Sequence, residues 1–299
     1  MPNTTPRRFT ALAQIGLFYA AAIWGATFYI VKAALDDIDP VIMVGYRFLM
    51  AGTVLLIFLA FGKRPLFTGL KRSFLLAVLL YLLYIPQTMG LKYTTASNSG
   101  FITGLFVAFV PIFLLTIFKS RPSRTDIIAS VVSLGGLWIL TGGLRDINPG
   151  DMLTLITAMT YALHLLYSDK YMKAGIDPYV ISCQQFIMVG LMSLATGLIF
   201  DLPFGVGSGA ALRTVIFLAL LPTLSAFVIQ MVAQKIISPV RVSLIFAFEP
   251  VFAALFAWTL GGETIITHRA AGGLLIFIAL IISALPPTRR ARDISRTGA

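Results

Sequence analysis

The chain has 299 residues, 58% of them hydrophobic and only 12% charged, with a mean hydropathy of +0.90. That composition excludes a water-soluble globule, because too little charged surface exists to cover the apolar residues. The 23 Lys+Arg against 12 Asp+Glu leave a net charge of +11, which in a soluble protein would suggest nucleic acid and in a membrane protein reports orientation. The single cysteine, Cys183, cannot form an internal disulfide, and no Cys/His cluster has metal-ligand spacing, so neither a metal nor a cofactor is expected.

A helix crosses the hydrocarbon core with about 20 predominantly apolar residues. Ten windows qualify, at residues 10–31, 41–61, 73–91, 98–118, 127–143, 152–168, 178–200, 213–234, 240–260 and 270–286. The fold class expected is an all-α integral membrane protein with ten spans. The first window follows Arg7 and Arg8, exceeds a typical signal-peptide apolar region and lacks a clear cleavage signature, so it reads as a retained helix. Connections are too short for a soluble catalytic domain, which places the function inside the membrane. Counted on alternate sides of these spans, 17 basic residues fall on one side and five on the other. The positive-inside rule then puts both termini in the cytoplasm.

Candidate functional residues follow in chain order. Trp24 in the first span is a candidate for an aromatic rim. Arg47 lies about two turns from the extracytoplasmic end of the second span, where the expectation is a side chain that reaches the interface and pairs with a loop aspartate, rather than a substrate clamp. The third span presents Tyr81, Tyr84, Gln87 and Thr88 at spacings of three and four, a stripe costly against lipid and suited to a wet cavity. Pro86 interrupts the same span. Asn98, Gly100 and Gly104 open the fourth, where the small-residue spacing favours close helix packing over substrate contact. In the sixth span Tyr161 and His164 share a face. An imidazole titrates near neutral pH, so His164 is equally a substrate or proton contact and a neutral hydrogen-bonding group between helices.

The eighth span carries Pro222 and Ser225, and with Pro86 this gives broken helices at similar depth in both halves of the chain, a pointer to a transporter's site. Glu249 lies near the middle of the ninth span directly before Pro250, where the missing amide leaves carbonyls free. It reads as an anchor for a substrate amine or a proton carrier, or as a buried acid tying two helices together, the last of these slightly favoured.

Internal similarity divides the chain. Asp39-Pro40 recurs as Asp177-Pro178 with Phe48/Phe186, Met50/Met188, Gly52/Gly190 and Leu56/Leu194 at an offset of 138. Residues 105–113 match 244–252 at an offset of 139, with five identities in nine and Pro111 aligned with Pro250. The expected organisation is two five-helix halves, 1–146 and 147–299. Because five is odd, the second half enters the membrane from the opposite side, giving inverted repeats (5+5) with a site near the midplane.

Three segments carry a family likeness: Ala22-Ile23-Trp24-Gly25; the run from Tyr93 through Asn98 and Gly100 to Leu105; and Phe248-Glu249-Pro250 through Trp258 with Gly262-Glu263 after it. They resemble the EamA branch of the drug/metabolite transporter (DMT) superfamily, and length and overall pattern are similar to its YddG-type amino-acid exporters. The resemblance implies ten helices in two inverted repeats around a central cavity, alternating access, and efflux of amino acids or related small metabolites. Tyr161-Ala162 departs from the common Trp-Ala of that family.

No phosphate-cradling glycine loop occurs, so the driving energy is expected to be a gradient rather than direct use of ATP. The leading expectation is therefore an exporter in a bacterial inner membrane. Trp24, Tyr81, Tyr84, Gln87, Tyr161, His164, Ser225 and Glu249 are its substrate-binding candidates, and Pro86, Pro111, Pro222 and Pro250 its helix breaks. Its partners would be a small-molecule substrate and the lipid bilayer, without nucleic acid, and the carrier would be a monomer. Efflux of cationic drugs is the alternative within transport. From another class, a membrane-embedded lipid or prenyl transferase would need clustered aspartates for a metal-diphosphate; Asp36, Asp37 and Asp39 have no second acidic motif to oppose them.

Overall fold

The computed structural model describes residues 7–143, 148–259 and 267–285, and no strand occurs among them. The boundary expected between 146 and 147, the Gly262-Glu263 pair and the basic carboxy-terminal tail lie outside the described residues. The helices are α1 (Arg7–Ala34), α2 (Pro40–Phe61), α3 (Leu70–Gly90), α4 (Ala96–Gly104), α5 (Phe106–Thr116), α6 (Arg124–Thr141), α7 (Pro149–Lys173) and α8 (Pro178–Ile199). They continue with α9 (Gly209–Leu218), a π-helical stretch (Ala219–Ser225), α10 (Ala226–Ala233), α11 (Pro239–Phe246), α12 (Glu249–Thr259) and α13 (Thr267–Ala284).

Among the described residues, six stretches are long and apolar enough to cross a bilayer: Arg8–Ala34, Pro40–Phe61, Leu70–Gly90, Asn98–Thr116, Pro178–Ile199 and Gly209–Ala233, with Ala270–Ala284 apolar but shorter. The fifth, sixth and ninth expected windows fall on α6, on α7 and on the pair α11 and α12. Large apolar side chains such as Phe58, Phe61, Leu198 and Ile199 are exposed, as a lipid-facing surface requires.

Local sequence explains where the helices begin and end. Asp39 and Asp177 cap α2 and α8, their carboxylates accepting from the amides of Val41 and Tyr179 at 2.8 Å each, with proline in the first helical position. Ser123 with Asp126 and Asn148 with Asp151 form capping boxes at α6 and α7. Hydropathy alone undersized α7: its polar ends, from the cap at Asn148 to Lys170 and Lys173 in the last turn, are helical but lie beyond the apolar window.

The most extensive packing joins α6 with α13, α2 with α8, and α3 with α7. Glycines permit the closest approaches. A methyl added at Gly52 would lie 3.0 Å from the Ile187 nitrogen, and one at Gly190 2.8 Å from the Leu49 nitrogen. Between α6 and α13, a methyl at Gly136 would meet the Gly272 carbonyl at 2.8 Å, and one at Gly272 the Leu140 nitrogen at 2.4 Å. Backbone atoms cannot rotate away, so these pairs set the interhelical spacing.

Gly272→Ala is therefore expected to cost about 1–3 kcal/mol by forcing α6 and α13 apart. Nothing lies within 4 Å of a methyl at Gly135, so Gly135→Ala is expected to be neutral or to stabilise by up to about 1 kcal/mol through helix propensity. Thermal unfolding in detergent distinguishes the two.

Candidate functional site

A narrow chamber, open at its mouth, lies among α1, α2, α3, α4, α7, α10 and α12. From its deepest contacts it extends along α1 from Trp24 to Val31 and along α3 from Leu83 to Leu91. It thus points toward the end of the bundle that holds the α1–α2 and α3–α4 connections. At the opposite end α1, α3 and α7 are closed by apolar packing around Leu17, Ala20, Leu76, Leu80 and Leu165, all fully buried.

Three helix interruptions meet at this chamber. The α4–α5 interruption falls at Leu105, beside Thr103 of the lining. That between α11 and α12 falls at Ala247 and Phe248, so Glu249 begins α12, and Pro250 sits in a first turn where no amide is needed. The third is the π-helical stretch, within which Pro222 lies; such widened turns recur at functional sites. Two expected breaks are not breaks. Pro86 lies inside an uninterrupted α3 and Pro111 inside α5. Both are buried, and in a membrane bundle neighbouring helices sustain a helix that has lost one ladder bond.

Five sequence candidates line the chamber: Trp24, Tyr84, Gln87, Tyr161 and Glu249. The Trp24 indole Nε1 donates to the Pro222 carbonyl at 2.7 Å, and its ring stands edge-on to Phe246, with centroids 4.8 Å apart. Tyr161 is edge-on to Trp24 at 6.3 Å, and its hydroxyl donates to Glu249 Oε1 at 3.4 Å. Gln87 Nε2 donates to Thr103 Oγ1 at 3.0 Å, and Tyr84 is edge-on to Phe48 at 4.9 Å. Glu249 itself is buried.

The other three candidates lie away from the lining. Tyr81 Oη is 2.7 Å from Thr196 Oγ1 and ties α3 to α8. His164 is fully buried, its Nε2 2.9 Å from Gln185 Oε1, and its ring supports the back of Phe227 edge-on at 6.0 Å. Ser225 Oγ is 2.8 Å from Tyr19 Oη and donates to the Leu221 carbonyl at 2.7 Å.

Arg47 differs most from its sequence expectation. Instead of reaching the interface and a loop aspartate, it is 2% exposed and lines the chamber. Its Nε donates to Thr223 Oγ1 at 2.9 Å, and its guanidinium carbon stands 4.6 Å from the Tyr84 ring centroid and 5.4 Å from that of Phe48. The charge within a span was the visible signal; the face it points to was not. Phe227, Thr27 and Thr103 also line the chamber, and nothing in their apolar surroundings marked them.

A helical membrane protein with a mixed-polarity chamber, open at one end and lined at helix interruptions, matches the carrier class of architectures. Comparison with known proteins names the family. The EamA-like transporter family matches twice, over residues 11–142 and 148–285, and the chain belongs to that family.

An uncharacterized transporter of Archaeoglobus fulgidus is 30% identical over 273 residues, covering 91% of this chain and 86% of that protein. The uncharacterized inner membrane transporter YedA of Escherichia coli strain K12 is 28% identical over 292 residues, 92% of each chain. A probable amino-acid metabolite efflux pump of Salmonella typhimurium is 25% identical, with 87% and 91% covered. One solved crystal structure shares the fold at a TM-score of 0.79 and 17% identity, over 93% of this chain and 99% of its own.

Trp24→Phe keeps an aromatic ring but deletes the bond to the Pro222 carbonyl. It is expected to lower stability by about 1 kcal/mol, seen as a reduced melting temperature in detergent.

Proposed function

We propose that the protein is a secondary exporter of amino acids or related small metabolites across a bacterial inner membrane, working by alternating access through the chamber. The observation that carries this reading is the chamber itself, which sets an acid, a cation and aromatic walls around one buried space. A small molecule with polar and apolar parts matches that lining, and the efflux-pump relative points to the same substrate class.

Two inverted repeats of five helices, 1–146 and 147–299, suit the packing. Under the offset of 138, Leu49 corresponds to Ile187 and Gly52 to Gly190. The contacts Gly52 with Ile187 and Gly190 with Leu49 are then images of one another, and Phe48 meets its own equivalent Phe186 at 5.8 Å. An axis between α2 and α8 accounts for all three. The double match of the family model supports the same division.

With both termini cytoplasmic, the chamber points outward, and export then requires a second state open to the cytoplasm. A polar seam between α7, α8 and α10 runs beside the apolar packing that closes that end. His164 and Ser168 on α7, Ser182 and Gln185 on α8, and Gln230 on α10 are buried there, each with a polar side-chain atom that makes no hydrogen bond among the described residues. In this reading the carrier works as a monomer.

In this reading Glu249 accepts the substrate's ammonium group, and the aromatic walls favour apolar side chains. Flux in proteoliposomes tests it. Movement of one or more apolar amino acids is expected, and no movement of any amino acid by verified folded protein contradicts the substrate class. Glu249→Gln is expected to lower flux about tenfold or more, the scale of a lost charge-assisted hydrogen bond; full flux in that variant argues against the role.

A further inference from the structure

A guanidinium buried in a membrane protein is costly unless its donors and its charge are met. Arg47 meets this only in part. Its Nε is bound to Thr223 and its face lies over Tyr84, yet Nη2 makes no hydrogen bond and no carboxylate lies within ion-pair distance among the described residues. Glu249 faces the same chamber, held only by the long bond from Tyr161. An acid and a guanidinium thus line one low-dielectric space. Here each is anchored to a different helix, and no ion pair joins them.

We propose that Arg47 is the carboxylate-binding group of the chamber, so that the substrate is a zwitterionic α-amino acid with an apolar side chain, spanning Arg47 and Glu249. This rests on the carrier reading and names its substrate class. The guanidinium fork matches a carboxylate through parallel N–H donors, and Nη2 is a buried donor without a hydrogen-bond partner among the described residues. The bond to Thr223 and the stacking over Tyr84 hold the fork in one orientation, which a flexible lysine would lack. Trp24, Phe28 and Phe227 supply the wall for the side chain. Organic cations fit poorly, since Arg47 would face them with like charge inside the chamber; this separates the proposal from cationic-drug efflux.

The test is competition against labelled L-phenylalanine, L-leucine or L-methionine, whichever the wild-type protein moves in proteoliposomes. The competitors are that amino acid unlabelled, its carboxamide, and the amine lacking the carboxyl group. Wild type is expected to prefer the amino acid over both analogues by about tenfold or more, as loss of a charge-assisted hydrogen bond implies. Arg47→Gln is expected to bring that ratio close to one, and Arg47→Lys to keep flux with a raised KM and part of the preference.

Equal competition by the amine or carboxamide in wild type overturns the proposal without recourse to a variant. So does an Arg47→Gln protein of unchanged melting temperature that keeps the wild-type ratio. If the wild-type protein moves none of the amino acids, the carrier reading fails first and the proposal with it; flux with an unaltered ratio fails the proposal alone.

Discussion

The widened helical turn at Ala219–Ser225 holds two side chains of the chamber, Trp24 and Arg47. An α-helix directs every carbonyl along its own axis, but the π-helical register around Pro222 turns polar groups sideways. The Pro222 carbonyl takes the Trp24 indole, Thr223 Oγ1 takes the Arg47 guanidinium, and Ser225 meets Tyr19. Helices α1 and α2 are thereby registered against the stretch between α9 and α10 by hydrogen bonds in a place where lipid offers none. Glycine contacts do the complementary work: Gly25 lets α1 approach the start of α12, where an added methyl would lie 2.4 Å from the Glu249 carbonyl.

From this registration follows the polarity of the chamber. Arg47 and Glu249 are fixed on separate elements and aromatic rings from α1, α7 and α10 fill the space around them. Behind the rings, the pair His164 and Gln185 buttresses Phe227, so a polar group near the site serves the wall instead of the lumen. The apolar closure at one end and the opening along α1 and α3 at the other give the chamber a direction. In the proposed alternating-access cycle, the seam between α7, α8 and α10 loosens as the α1–α3 side closes.

Much of this was legible in the sequence. All-helical membrane character, the Asp-Pro helix starts and a likeness to the EamA branch followed from composition, periodicity and motif, and five of eight site candidates line the chamber. The remainder depended on direction. A membrane helix is apolar nearly all round, so no amphipathic stripe says which face looks inward; Phe227 and Thr103 carry no signal for that reason, and the sequence around Arg47 does not show that it faces the chamber. Prolines misled similarly. Pro86 and Pro111 look like Pro222 in sequence, but of the three only Pro222 lies in a widened turn.

Occupancy of this chamber by the solute can be read from a thiol placed in its lining. Cys183 is the sole cysteine of the chain and is buried, so Thr27→Cys in a Cys183→Ala background places one reactive thiol in the lining. Its rate of alkylation by a membrane-impermeant maleimide can be followed while a transported amino acid is titrated in. A saturable slowing, half-complete near the KM for flux, is the predicted result. An alkylation rate unmoved by a solute the protein demonstrably transports would contradict it.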